Sequence, residues 1–200
     1  MNGYSKKEYL KTSYEEIRKG VAKLPKDYKQ LTWEEITALK KAVSTVNNVI
    51  TLSVTELFVD FLRNENIIGE KQYQEIKEQI ENTKPNANGY DIEYNGTSKI
   101  IAEVKCNIPV NEDSFGAAQK TGIIEDIESL QNGKGKSSIT KIEDYYKFMV
   151  LLSDKDNNIK EAIGKNIRGR DNIEEYNGQK VKADKVYIVY ITPEISYERM

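Results

Sequence analysis

Apolar residues recur at alternating spacings of four and three through the first third of the chain, and beyond it they gather into short continuous runs. Leu10, Tyr14, Ile17, Val21 and Leu24 trace one face of a helix that Pro25 ends, and Ser5 with Glu8 forms a capping box at its start. Thr32 and Glu35 repeat that box ahead of Ile36, Leu39, Val43 and Val46, the buried face of a second helix. A third helix is expected from near Ser53, carrying Leu57, Phe58, Phe61 and Leu62, and a fourth after Gly69, carrying Tyr73, Ile76 and Ile80. Asn47 to Leu52 reads either as a helix end or as a short strand.

Pro85, Asn86, Asn88 and Gly89 break the helical pattern and lead into a β-hairpin. Its turn is Asn95-Gly96, a pair suited to two central residues of positive φ, between strands Tyr90 to Tyr94 and Lys99 to Cys106. Phe115, Ala118, Ile123, Ile127 and Leu130 then mark a helix that Gly133 terminates. Tyr146 to Leu152 is a β-like run, Asn158 to Asn166 a short helix, and Val186 to Ile191 a buried strand closed by Pro193. This order predicts a three-layer α/β fold, a central mixed sheet flanked by helices. Residues 1–50 form a helical N-terminal region packed on a core of residues 51–200, in one domain overall.

The composition narrows the chemistry. With no histidine and one cysteine, histidine triads, histidine-metal motifs, cysteine-rich zinc sites and internal disulfides are excluded. Cys106 reads as a small buried residue. Thirty basic and 32 acidic residues leave a net charge of −2, which argues against a generally basic nucleic-acid coat and is compatible with a localised positive cleft. The sequence shows neither an apolar run of bilayer-spanning length nor a signal-type N-terminus, which points to the cytoplasm.

Carboxylates and lysines remain, and the hairpin groups them. Residues two apart on a strand share a face, so Glu103 and Lys105 project together, and pairing across the hairpin brings Asp91 or Glu93 beside them. Two carboxylates, with the Val104 carbonyl as a third oxygen, suit a hard divalent cation such as Mg²⁺ held against a phosphate. A lysine two residues from a ligand can orient or deprotonate the attacking water, or stabilise the transition state. The competing reading is a solvated edge hairpin whose charges only deter aggregation.

Asp91, followed by Glu103-Val104-Lys105 on an apolar strand, resembles the PD-(D/E)XK nuclease superfamily, to which most type II restriction endonucleases belong. The resemblance implies a restriction-endonuclease-like fold and cleavage of double-stranded DNA with Mg²⁺, or Mn²⁺ as a substitute. It also implies metal-ligand roles for Asp91 and Glu103 and a water-activating role for Lys105. Tyr90 stands where the family pattern has proline. One strand of the family core is unplaced, with residues 47–52 or 83–88 as candidates.

The resemblance implies that Glu56 and the helix carrying Gln119 and Lys120 lie near the site, and two basic runs add further candidates. Glu56, on the helix before the hairpin, is either an additional acidic site residue or a cap partner of Ser53. Gln119 and Lys120 lie on the helix after the motif. The Gly-Lys run containing Lys134 and Lys136, and the basic group Lys165, Arg168 and Arg170, are candidate phosphate contacts. The resulting expectation is a Mg²⁺-dependent type II restriction enzyme acting as a homodimer. The alternatives are a repair or recombination nuclease and a noncatalytic DNA-binding module of the same fold.

Overall fold

The computed structural model describes residues 5–22, 31–83, 89–109, 114–139, 141–153 and 158–193. The box at Thr32 closes as its residue types dictate: the Thr32 amide donates to Glu35 Oε2 at 2.7 Å and the Glu35 amide donates to Thr32 Oγ1 at 3.3 Å. From it runs α2, Trp33–Asn64, a single helix of 32 residues. Asn47 to Leu52 is therefore helical, neither a strand nor a break between two helices. No glycine or proline interrupts residues 33–64, so nothing stops the helix. Ser53 Oγ donates back to the Val49 carbonyl at 3.0 Å, as serine does inside a helix, and so does not cap Glu56.

Helix α1, Lys6–Ala22, packs along α2. Gly20 makes the contact possible, because a Cβ built there would lie 2.5 Å from Ala42 Cβ. Ser13 and Gly20 are buried, whereas Tyr14 and Val21 are 57% and 55% exposed. Leu10 of the predicted stripe still packs against the core and Ile17 is half-buried, so the packed face is turned only part-way from the one the apolar pattern predicts. On α2 the same thing happens: Ala42, Thr45 and Val49 face inward, while Ile36 and Val43 remain exposed. Leu24 and Pro25 lie outside the described residues.

The remaining elements are α3 (Glu70–Asn82), β1 (Ile92–Asn95), β2 (Lys99–Lys105), α4 (Ala117–Asn132), β3 (Tyr146–Leu152), α5 (Asn158–Ile167), β4 (Ile173–Glu175) and β5 (Val186–Ile191). They build an α/β fold whose five-stranded mixed sheet has the order β1-β2-β3-β5-β4. β1 runs antiparallel to β2, and the other pairings are parallel. β4 has three residues, too few to show a period, and the sequence pattern does not reveal it. No strand precedes β1 among the described residues, and residues 84–88 lie outside them.

Alternation sends the two faces of the hairpin into two cores. Ile92, Tyr94, Ile100, Ala102 and Val104 pack with Val54, Phe58 and Leu62 of α2 and Ile76 and Ile80 of α3. Ile101 packs with Ile123, Ile127 and Leu130 of α4, and with Met149, Leu151 and Ile188. The sheet is therefore covered on both sides, as parallel strands require. By length and apolar content α2 meets the threshold for a membrane span, contrary to the sequence expectation. Its Val54, Phe58, Val59 and Leu62 are nonetheless buried in the protein's own interior.

The hairpin turn differs from the predicted one. Asn95 pairs with Lys99, leaving Gly96-Thr97-Ser98 as a three-residue loop, and neither Asn95 nor Gly96 takes a left-handed backbone. Glycine is needed at 96 because the Tyr94 side chain folds directly over it.

Candidate active site

The register Ile92↔Ala102 sets Asp91, one residue before β1, opposite Glu103 on β2. Glu103 and Lys105 share the β2 face that looks toward α4, so three of the four chemically interesting residues of the motif converge at one end of the sheet. Two hydrogen bonds fix the approach to Asp91. The Tyr90 amide donates to Glu93 Oε1 at 3.0 Å, and the Tyr90 hydroxyl donates to the Ser129 carbonyl of α4 at 2.8 Å. Tyr90 is thus held at both its amide and its hydroxyl. Glu93 also accepts from Ser138 at 3.2 Å. It acts as a brace for the turn rather than as a neighbour of Glu103.

A cleft of about 480 Å³ opens over this point, lined by Asp91, Glu103, Val104, Lys105, Asp126 and Lys134, with Asn47, Thr51 and Gln119 among its walls. Asp91 Oδ2 accepts from the Val104 amide at 2.7 Å, which locks the first acid to the strand bearing the second. Glu103 is 4% exposed and its Oε1 accepts from Lys134 Nζ at 2.6 Å. Lys134 in turn stands 5.5 Å from the centre of the Tyr90 ring. Lys105 Nζ lies 2.7 Å from Asp126 Oδ2 of α4.

These contacts set the charges. Burial pushes the Glu103 carboxyl up to about 8, with Asp91 and Asp126 adding to the shift, and the Lys134 hydrogen bond only partly offsets it. Asp91 reaches solvent at the lip of the cleft, yet desolvation still raises its pKa against the Val104 amide and the nearby lysines. For Lys105, burial favours the neutral amine, but bonded Asp126, with Glu103 and Asp91 behind it, outweighs burial and holds the ammonium charged. The Cys106 thiol is pushed up to about 11 by burial, which makes it inert as a nucleophile.

No family model, curated protein or solved structure matches this chain.

Among the described residues no three acidic or cysteine side chains stand close enough to hold a metal ion by themselves. Mg²⁺ characteristically takes one or two carboxylates and completes its shell with water and phosphate oxygens. Asp91 and Glu103 with the Val104 carbonyl fit that donor set. A buried carboxylate with a raised pKa is also a site where added positive charge is favourable.

The other sequence candidates divide by position. Lys134 enters the site itself. Gln119 lines the cleft, but its Oε1 accepts from the Gly116 amide at 3.1 Å and its Nε2 donates to the Ile108 carbonyl at 3.2 Å. Lys120 and Lys136 are exposed and do not line the cleft. Glu56 is not brought to the site: it is ion-paired with Lys6 of α1, which also meets Glu81 of α3 at 2.6 Å. Lys165, Arg168 and Arg170 are also placed elsewhere, at the end of α5 that runs back to the start of the parallel strands. Arg170 bonds Glu128 at 3.1 Å and borders a separate hollow of about 580 Å³ beside buried Lys147. The sequence reading missed Asp126, whose signal is its place one residue before buried Ile127 on the sheet-facing stripe of α4.

The raised pKa of Glu103 gives a pH dependence with a definite sign. A carboxyl whose folded pKa exceeds its unfolded value stabilises the fold fully below about pH 4.5, and this contribution is lost as pH rises through about 8. A divalent cation must displace that proton, so its stabilising effect grows over the same range. Thermal melts with and without MnCl₂ are expected to show a small rise in Tm near pH 5.5 and a larger one near pH 8.5. An equal rise at both would contradict the assignment of Glu103 as a ligand.

Proposed function

We propose that this chain is a divalent-cation-dependent endodeoxyribonuclease of restriction-endonuclease-like fold, and that it cuts double-stranded DNA as a type II restriction enzyme. The observation that carries the reading is the meeting of Asp91, Glu103 and Lys105 in one cleft, from two adjacent strands, with Asp91 bonded to the Val104 amide.

Each residue has a task in phosphodiester hydrolysis. Mg²⁺, when bound, supplies an acidified water and positive charge beside the scissile phosphate. Asp91, tied to β2 through the Val104 amide, and Glu103 on β2 present hard oxygens. Lys105 is kept as an ammonium by Asp126, so it works as a donor that orients the attacking water and offsets charge on the phosphate, rather than as the base. Lys134 neutralises Glu103 and lies within reach of the phosphate that would enter. The hairpin is held by Tyr90, Glu93 and the Val104 amide, so little rearrangement is needed before chemistry.

A palindromic target calls for a twofold dimer. The uncovered Tyr14 and Val21 of α1 offer apolar surface for it, and light scattering at twice the 22.9 kDa chain mass is the expected result. The function itself is tested by digesting plasmid DNA with purified protein and MgCl₂, then sequencing the fragment ends. Discrete fragments with a common end sequence are expected. Nicks confined to branches or ends would favour a repair nuclease, and binding without any cleavage a noncatalytic module.

A further inference from the structure

The cleft has a wall that the catalytic trio does not explain. Asn47 and Thr51, about one turn apart on α2, line it together with Asp91, Glu103, Lys105 and Lys134. The C-terminal half of α2 is fixed in the interior, with Val54, Phe58, Val59 and Leu62 buried and the Phe58 ring 5.3 Å from that of Phe148. The N-terminal half is held by α1, which packs along it where Gly20 meets Ala42, so its other face stands beside the cleft in a set direction. Following the helical period back from Thr51, the stripe runs through Asn47, Ser44 and Lys40 to Trp33, about five turns away.

The composition of that stripe points to a polyanion. Every one of these positions is polar, basic or aromatic, although α2 is otherwise rich in Val, Ile and Leu. None is acidic, in a chain with 32 acidic residues and with Glu34 and Glu35 in the first turn of the same helix. Ser44, Lys40 and Trp33 are exposed, Trp33 at 80%. Lys40 stands about 17 Å along the helix from Thr51, which corresponds to about five base-pair steps along a duplex axis.

We propose that the N-terminal half of α2 is a rail for the DNA backbone leading into the cleft. Lys40 and Asn47 contact phosphates, and Trp33 stands at its outer end. This rests on the nuclease reading, and it adds a substrate-positioning surface to the three residues at which the chemistry occurs.

The test uses the full chain and a fluorescein-labelled duplex, with Ca²⁺ replacing Mg²⁺ to hold off cleavage, in anisotropy titrations at several salt concentrations. Lys40→Glu is expected to weaken binding by about tenfold or more, and Lys40→Ala to lower the salt slope by about one. Lys19→Ala, on the exposed surface of α1, is expected to bind as the parent does. Trp33 is the one tryptophan of the chain, so its emission reports on the rail directly and is expected to be quenched as duplex is added. Far-UV circular dichroism checks that the variants keep their helices. Unchanged affinity, salt slope and Trp33 emission, in a protein that still binds and cuts DNA, would overturn the rail and leave the nuclease reading standing. A Lys40→Glu variant that alters self-association at unchanged DNA affinity would overturn it in favour of a second copy as the occupant. A parent protein that neither binds nor cuts DNA would overturn both.

Discussion

Glu103→Gln and Asp91→Asn are each expected to lower Mg²⁺-dependent DNA cleavage by at least about a thousandfold while leaving the protein folded. A bound cation contributes several kcal/mol of charge stabilisation, and removing a charged ligand forfeits most of it. The two variants differ in a way that separates ligand loss from misfolding. Glu103 is buried at a cost, as its raised pKa records, so a neutral amide of the same shape does not unfold the sheet and relieves part of that cost above about pH 8. Asp91 accepts the Val104 amide, which a glutaminyl or asparaginyl oxygen can still do, so Asp91→Asn keeps the hairpin register. The check is plasmid cleavage assayed beside a thermal melt. Full cleavage by either variant would refute the assignment of that residue.

Lys105→Ala is expected to reduce turnover by about two to three orders of magnitude while the Mg²⁺ concentration for half-maximal rate changes little. The lysine lies on the same face as Glu103 but is bonded to Asp126, so its loss removes a donor and not a ligand. The substitution also leaves Asp126 unpaired, which adds negative charge near the proposed ligands and favours the cation, the opposite of a binding defect. Single-turnover cleavage across a Mg²⁺ titration distinguishes the two. A rate restored to the parent level by excess Mg²⁺ would show that Lys105 serves metal binding instead.

How much of this was legible beforehand depends on the range over which each signal acts. The hairpin and the strands at 146–152 and 186–191 follow from alternation, a local rule, whereas the three-residue loop, and not the two-residue turn that Asn95-Gly96 suggests, sets the register that puts Asp91 opposite Glu103. The helical N-terminal third was legible as helix but not in its packing. Small residues Ser13, Gly20 and Ala42 decided which faces meet, because close approach of two backbones outweighed the larger apolar stripe. Asn95-Gly96 misled on the turn, since the Tyr94 ring and not a positive φ is what demands glycine there. Lys134 and Asp126 reach the site from 31 and 21 residues beyond Glu103 and Lys105, through the crossover of α4. Glu56 failed as a site residue because helix phase turns it toward Lys6 and α3, away from the face that carries Asn47 and Thr51.

The anomalous difference map of a crystal grown with Mn²⁺ tests the pairing of Asp91 and Glu103 as ligands. A single strong peak is expected about 2.1 Å from carboxylate oxygens of both Asp91 and Glu103, with the Lys134 ammonium withdrawn from Glu103. An empty map at that point under millimolar Mn²⁺, with Lys134 still bonded to Glu103, would contradict that pairing.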